Sequence, residues 1–318
     1  MSPKHLKTLL LGMGLLAYAA TAQAVSYTEY ISGGGGVNYT EYINGDGNDN
    51  SGPKTYAILI GSQAPSNNVT DAVRGDLDVD HVASQLTWAA DVIVLKYQWD
   101  GSNSVAGDIQ AAASNFAAKV KPGDSFIFYY SGHGTGGSGY GVQDFINPVQ
   151  GAGYQDNSLT AVFADSHYTD VNKFFLIDSC HSEGIWNNDT PDDRDLQTLS
   201  KISFLASSSE DGVAYSDSDL NGTSVFTNAI LPVLTPTATF GSLLTSATAA
   251  SGEVTGYLKD DGYGTGIWNP VGRTSSDFDL DNPLGGRAVP EPAALVLILA
   301  GAAAALVWRR LNGRGFSS

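Results

Sequence analysis

Five short apolar runs, separated by longer segments with helical periodicity, constrain the fold of this 318-residue chain most strongly. The runs occupy residues 55–60, 91–95, 125–130, 173–177 and 202–206. The helical segments are predicted at residues 73–88, 105–120, 157–168, 225–234 and 240–250. Strands that alternate with helices form a mostly parallel sheet with helices on both faces. We therefore predict an α/β domain over residues 53–250, with its functional groups just after the carboxyl ends of strands.

The composition excludes several functional classes. The chain has 33 acidic and 16 basic residues, a net charge of −17, and no basic run. Nucleic-acid binding depends on the neutralisation of phosphates by basic side chains, so a nucleic-acid partner is not expected. Cys180 is the only cysteine. A single thiol excludes both an internal disulfide framework and a thiolate zinc cluster.

The N-terminal residues 1–24 have the pattern of a secretory signal peptide. A basic start precedes an apolar run at residues 9–20, and the small residues Ala22 and Ala24 stand before Val25. Signal peptidase is the expected processing partner at this site. The sequence therefore predicts an exported protein.

The C-terminal residues 289–318 combine the triplet Pro290, Glu291 and Pro292 with an apolar run at residues 293–308 and terminal arginines. This order resembles the PEP-CTERM sorting tail of Gram-negative bacteria. The resemblance implies transient membrane association through an apolar helix, removal by an exosortase-type enzyme, and a location at the cell surface or outside the cell. A plain C-terminal anchor is the alternative interpretation.

Two segments flank the predicted domain. Residues 25–33 and 37–45 repeat one motif with a period of 12, within a linker or pro-segment at residues 25–52. The repeat predicts short β-prone strips, which fit a pro-segment, a surface-adhesion strip or a hairpin at the domain edge. The glycine-rich residues 251–288 are predicted to form a loop-rich tail that covers the sheet edge or carries the sorting segment.

Chemistry-bearing residues follow the third and fourth predicted strands. Residues 131–134 read Ser-Gly-His-Gly, and residues 178–184 read Asp-Ser-Cys-His-Ser-Glu-Gly. A cysteine nucleophile needs its thiolate, and a neighbouring imidazole such as that of His133 can accept the thiol proton. Backbone N–H groups of Gly134 and Cys180 are candidates for an oxyanion hole. The pattern predicts nucleophilic catalysis by Cys180.

Residues 56–61, 128–134 and 175–182, in this order, resemble the caspase/metacaspase peptidases, and the bacterial metacaspase-like branch most of all. The resemblance implies a caspase-hemoglobinase fold and a cysteine-type endopeptidase with protein or peptide substrates. It implies Cys180 as the nucleophile and His133 as the general acid and base. It also implies substrate contacts from Ser131 and Ser207.

The resemblance implies a specificity as well. In metacaspases, the Asp two residues before the nucleophile selects Arg or Lys before the cut, and Asp178 holds that position. A second acid is expected from the segment after the first strand, where Asp78 is preferred and Asp76 and Asp80 are alternatives. A carboxylate at a pocket base suits a guanidinium.

Three alternatives stay open. Arg74 lies near the place where caspases bind an acidic side chain, which would fit an Asp- or Asn-directed peptidase, but it could also pair with a neighbouring Asp. Asp178 could instead bond N–H groups of the nucleophile loop. A catalytically inactive caspase-like binding domain of the extracellular matrix is the alternative from another functional class.

Regulation is predicted in the acidic loop after the nucleophile. No cofactor is required by the chemistry, but Ca²⁺ is a candidate ligand for the carboxylates of Asp189, Asp192, Asp193 and Asp195. Basic specificity predicts self-cleavage after Arg194, and acidic specificity predicts it after Asp193. Cleavage after Lys54 would remove the repeat. His181 is interpreted as part of the nucleophile loop, and His167 as a surface residue.

Overall fold

A computed structural model of the chain describes residues 26–31, 37–43, 52–63, 74–98, 105–134, 144–146, 154–186, 195–209, 212, 214, 223–260 and 269–286. Both predicted address segments lie outside these residues. Among the described residues, no helix has the length and apolar character needed to cross a membrane.

The structure contains strands and helices in alternation through its central part. The strands are β1 (Ser26–Ile31), β2 (Val37–Ile43), β3 (Thr55–Gln63), β4 (Asp91–Gln98), β5 (Ser125–Ser131), β6 (Asp144–Ile146), β7 (Tyr154–Gln155), β8 (Asn172–Asp178), β9 (Ile202–Ala206) and β10 (Val271–Thr274). The α-helices are α1 (Gly75–Gln85), α2 (Val105–Ala117), α3 (Asp156–Phe163), α4 (Val225–Ile230) and α5 (Phe240–Asp260).

One sheet organises the fold, with the strand order β1-β2-β4-β3-β5-β8-β9-β10. Strands β4, β3, β5, β8 and β9 are parallel neighbours. The hairpin β1–β2 joins β4 antiparallel, and β10 joins β9 antiparallel. The predicted fold class, an α/β domain with a mostly parallel sheet, is confirmed.

The central strands are buried on both faces. Every residue of β5 and β9 is buried. This burial explains why the strands read as continuous apolar runs rather than alternating patterns. Helices α2 and α3 cover one face, where Phe163 packs against the rings of Phe126 and Phe175. Helices α1, α4 and α5 cover the other face, where Phe226 and Leu243 are fully buried.

Helix ends differ from the sequence predictions for identifiable reasons. Helix α3 stops at Phe163, and a separate 3-10 turn (Ser166–Tyr168) follows, because the Asp165 carboxylate caps it by accepting a bond from the His167 N–H. His167 is exposed, as predicted. Helix α4 passes at Ile230 into a 3-10 turn (Leu231–Val233), since Pro232 has no N–H to continue the helix.

The two edges of the sheet differ more from the sequence predictions than the helix ends do. The repeat forms the hairpin β1–β2 at the edge of the sheet, which is one of the three arrangements that the sequence left open. The loop-rich tail predicted over residues 251–288 contains two regular elements that were not predicted, since α5 continues to Asp260 and Val271–Thr274 form β10. Strand β10 covers the edge of β9, which is one of the two roles that the sequence left open for this tail. An uncovered β9 would present unpaired backbone groups, and β10 removes that exposure.

Candidate active site

The loops after β5 and β8 meet at the carboxyl edge of the sheet. Ser131 and Asp178 are register partners at the ends of these strands. The Gly132 N–H donates to the Asp178 carbonyl at 3.1 Å. A Cβ on Gly134 would lie 2.0 Å from the Cys180 carbonyl oxygen, so only glycine fits this approach. The fold therefore brings the backbones of the His133 and Cys180 loops together.

His133 is held by its own strand. The Tyr130 hydroxyl donates to the His133 carbonyl oxygen at 2.6 Å. Tyr130 is buried, whereas His133 and Cys180 are both half-buried at the surface of the edge. This exposure leaves the imidazole and the thiol within reach of a substrate.

Cys180 lies in a polar backbone environment. The Ala214 N–H points at the Cys180 sulfur, with 3.4 Å between nitrogen and Sγ. An N–H donor stabilises a thiolate, whereas the Ala214 carbonyl oxygen, 4.0 Å from the same sulfur, accepts from a neutral thiol. Next to Cys180, His181 adopts a left-handed conformation with φ of 57° and begins a 3-10 turn (Ser182–Ile185). His181 is thus part of the same loop as Cys180.

Two serines after β9 support the Cys180 loop. The Ser207 hydroxyl accepts from the Ser179 N–H at 3.1 Å, and the Ser208 hydroxyl donates to the Ser179 carbonyl at 2.9 Å. Both serines are fully buried. Ser207, a predicted substrate contact, therefore supports the Cys180 loop from inside the protein. Ser208 was missed, although it belongs to the serine run that follows the fifth apolar run.

Asp78 lies beside Asp178 because α1 starts against the ends of β3 and β5. A Cβ on Gly75 would meet the Ser131 carbonyl oxygen at 2.1 Å, so the helix approaches the strand closely at this glycine. The Ser131 hydroxyl donates to Asp78 Oδ2 at 2.5 Å. Ser131, a predicted substrate contact, is buried to the same degree as Asp78 and holds that carboxylate through this bond.

The start of α4 completes the acid pair formed by Asp78 and Asp178. The Ser224 N–H donates to Asp78 Oδ1 at 2.9 Å, and the Ser224 hydroxyl donates to Asp178 Oδ2. The Thr227 hydroxyl donates to the same Asp178 oxygen at 2.9 Å. The sequence left open an alternative in which Asp178 bonds N–H groups of the Cys180 loop, whereas in the structure its side chain accepts bonds from Ser224 and Thr227 at the start of α4. Ser224 was missed, although a Ser before an apolar helix is an N-cap signal.

The acid pair is buried and electrostatically strained. Asp78 is 1% exposed and Asp178 is 3% exposed. Desolvation, followed by repulsion from Asp178, raises the pKa of Asp78 above the ordinary range for a carboxyl. Desolvation also raises the pKa of Asp178, while the bonds from Ser224 and Thr227 act in the opposite direction. The pair is therefore a buried site for negative charge that would gain from a cation.

The neighbouring charges are paired elsewhere. Arg74 forms two bonds to the carboxylate of Asp76, at 3.0 and 3.3 Å. Asp80 forms an ion pair with Lys96. Of the three candidate second acids, the structure brings only Asp78 to Asp178. The pairing of Arg74 with a neighbouring Asp, which the sequence left open, is the arrangement observed.

The calcium prediction falls mostly outside the described residues. Asp189, Asp192 and Asp193 lie there, as does Arg194. Asp195 is buried just before a 3-10 turn (Leu196–Thr198). Within the described part of the chain, no group of three His, Cys, Asp or Glu side chains could hold a metal ion.

One family model and two solved structures are similar to this chain. The Caspase domain family matches residues 54–262. Caspase-1 from Spodoptera frugiperda is structurally similar, with a TM-score of 0.50 and 15% sequence identity over 71% of this chain and 88% of that chain. A protein from Geobacter sulfurreducens has a TM-score of 0.48 and 17% identity over 71% of this chain and 95% of its own. A search of curated proteins found no match. Since the family match spans more than half of the sequence, the chain belongs to the Caspase domain family of cysteine peptidases.

Proposed function

We propose that the protein is an exported cysteine endopeptidase that cleaves peptide bonds after Arg or Lys. The observation that carries the specificity is the buried Asp78–Asp178 pair, one member of which is two residues from Cys180. The arginine and the lysine nearest to Asp78 in the sequence of the described residues, Arg74 and Lys96, each form an ion pair with another acid. A guanidinium or ammonium group from a substrate would supply the missing positive charge.

The proposed mechanism uses His133 and Cys180. His133 accepts the thiol proton, and the Cys180 thiolate attacks the carbonyl carbon of the scissile bond. The Gly134 and Cys180 N–H groups stabilise the oxyanion of the tetrahedral intermediate. His133 then donates the proton to the leaving amine as the C–N bond breaks. Water, deprotonated by His133, attacks the thioester and releases the acid product with the free thiol. The proximity of Gly134 to the Cys180 backbone supports this assignment.

A matched peptide panel tests the proposed function. Fluorogenic peptides identical except for Arg, Lys, citrulline, Asp or Asn before the cut are incubated with wild type and with Cys180→Ser. We expect turnover of the Arg and Lys peptides, little turnover of the uncharged citrulline peptide, and a loss of about 1,000-fold or more in Cys180→Ser. Preferred cleavage after Asp or Asn would contradict basic specificity. Absence of turnover with all five peptides would favour the binding-domain alternative.

Self-processing is a second part of the proposal. Cleavage after Arg194 remains the proposed site, in a polar segment that contains Pro191. Lys54 is a poor site, because its N–H donates to Asp124 at 2.8 Å and its carbonyl accepts from the Ser125 N–H at 2.8 Å. A protease needs an extended, accessible backbone, and these bonds hold Lys54 at the start of β3.

Mass spectrometry of the purified protein distinguishes these sites. We expect wild-type fragments that end at Arg194, and no fragments in Cys180→Ala or in Arg194→Ala. Fragments that appear equally in Cys180→Ala would show cleavage by another protease. A cut after Asp193 would instead indicate acidic specificity.

Export and calcium binding are two further parts of the proposed function. Export by a signal peptide, with a sorting tail processed by an exosortase-type enzyme, is supported by the residue order at both ends of the sequence. Calcium at the acidic loop of residues 189–195 is supported by its four Asp residues. The peptide panel with and without Ca²⁺ measures whether turnover depends on the ion.

A further inference from the structure

We propose that Ser224 and Thr227 are positioning residues that hold the Asp78–Asp178 pair in place for a cationic substrate side chain. The inference rests on the proposed basic specificity and extends it to the start of α4, which contains neither His133 nor Cys180. Its basis is a set of hydrogen bonds that all converge on the two buried carboxylates.

Ser224 joins the two acids directly. Its N–H donates to Asp78 Oδ1 at 2.9 Å, and its hydroxyl donates to Asp178 Oδ2. The same hydroxyl oxygen accepts from the Thr227 N–H at 3.0 Å. A serine hydroxyl has one proton, so this geometry commits it to Asp178. One residue thus fixes the position of one carboxylate relative to the other.

Thr227 extends the network into the core. Its hydroxyl donates to Asp178 Oδ2 at 2.9 Å and lies 2.5 Å from the Tyr129 hydroxyl. Since the single Thr227 proton points at Asp178, Tyr129 must donate to Thr227. Complete burial, followed by repulsion from Asp78 and Asp178, raises the pKa of Tyr129, which keeps this phenol protonated as a donor.

The donors matter because the two acids repel each other in a desolvated site. Other charges also act on the pair: Asp76 adds negative charge near Asp78, and Arg74 lies on the same segment but is bonded to Asp76. Hydrogen bonds to a carboxylate stabilise its charged form. Loss of a donor would favour protonation, and a protonated acid attracts a substrate cation less strongly. The expected defect is therefore in the binding of basic side chains and not in the chemistry at Cys180.

The closest isosteric test is Thr227→Val, with Thr227→Ser as the conservative variant that restores the hydroxyl. Thr160→Val is the matched control, because Thr160 is also a buried helical threonine and its hydroxyl has no hydrogen-bond partner within the described part of the chain. Ser224→Ala supplies a second, independent variant. Circular dichroism and alkylation of Cys180 by iodoacetamide verify that each protein is folded with a reactive thiol.

We expect Thr227→Val and Ser224→Ala to raise KM for the Arg peptide by about tenfold, as expected for lost hydrogen bonds to a charged group. The value of kcat, the alkylation rate and turnover of the citrulline peptide should stay within about twofold. The Arg peptide should be preferred to the citrulline peptide only where the acid pair is ionised. In both variants, the pH above which this preference appears should therefore be higher than in wild type. Thr227→Ser should restore wild-type KM, and Thr160→Val should match wild type.

The outcomes separate this inference from the proposed function. If wild type prefers the Arg peptide to the citrulline peptide and Thr227→Val shows the same degree of preference, the positioning role is wrong while basic specificity stands. If kcat falls with KM unchanged, the residue acts on the chemistry, which also overturns the inference. If wild type does not distinguish Arg from citrulline, basic specificity is wrong and the inference fails with it.

Discussion

At the scale of single residues, the site depends on glycines where two backbones nearly touch. Gly134 lies against Cys180, and Gly75 lies against Ser131. The spacing of residues in the sequence predicts neither contact, although a glycine beside a candidate catalytic residue is consistent with a close backbone approach. Both contacts place a functional group: the first brings the two loops together, and the second carries Asp78 to the acid pair.

Gly134→Ala should reduce activity strongly. The added methyl group would lie 2.0 Å from the Cys180 carbonyl oxygen, so the two loops must separate. A displacement of about 1 Å at a catalytic centre can cost on the order of 100-fold in rate, and we expect kcat to fall by about that factor. Gly241→Ala is the control, since its methyl group would meet only Thr239 Oγ1 at 3.8 Å. Equal activity in the two variants would contradict the loop arrangement.

At the scale of elements, antiparallel strands cover both edges of a parallel sheet. The hairpin β1–β2 pairs with β4 along seven residues, from Val37 opposite Tyr97 to Ile43 opposite Asp91. On the other side, β10 covers β9, and an ion pair between Arg273 and Glu183 connects β10 to the turn after Cys180. The repeat is therefore part of the same sheet as the parallel strands of the Caspase domain.

Removal of the whole hairpin should make the protein prone to aggregation. Without residues 25–43, β4 becomes an edge strand whose Val92, Ile93, Val94 and Leu95 are now buried. Removal of residues 25–36 alone leaves β2 on β4 and is the matched control. We expect light scattering on mild heating to rise in the longer deletion and to stay near wild type in the shorter one. Equal scattering would show that β2 does not protect β4.

At the scale of the whole molecule, a net charge of −17 adds to the local strain of two buried acids. Both carboxyl groups have a raised pKa, chiefly through desolvation. A group with a raised carboxyl pKa binds more protons in the folded than in the unfolded protein. Folding stability should therefore decrease as pH rises from the ordinary carboxyl range towards and above neutrality.

Asp78→Asn should weaken this pH dependence, because it removes one of the two charges. We expect the melting temperature of wild type to fall more between pH 5 and pH 8 than that of Asp78→Asn, as followed by circular dichroism. Asp170→Asn is the control, since the Asp170 side chain is 60% exposed beside Lys201. If the slopes of wild type and Asp78→Asn are the same, the buried pair does not control the pH response.

The sequence by itself determined the parallel core and the sites after its strands. Short, continuous apolar runs are diagnostic because a central strand is buried on both faces. The position of the His133 and Cys180 loops follows from the rule that parallel strands end at one edge of the sheet. Only the tertiary structure decided how the sheet edges are covered and which acid lies beside Asp178. These features depend on contacts between distant segments, such as Ser224 with Asp78 across 146 positions, for which local patterns have no signal. The choice of Asp78 over Asp76 and Asp80 was settled by the direction in which α1 faces β5, a property of packing rather than of composition.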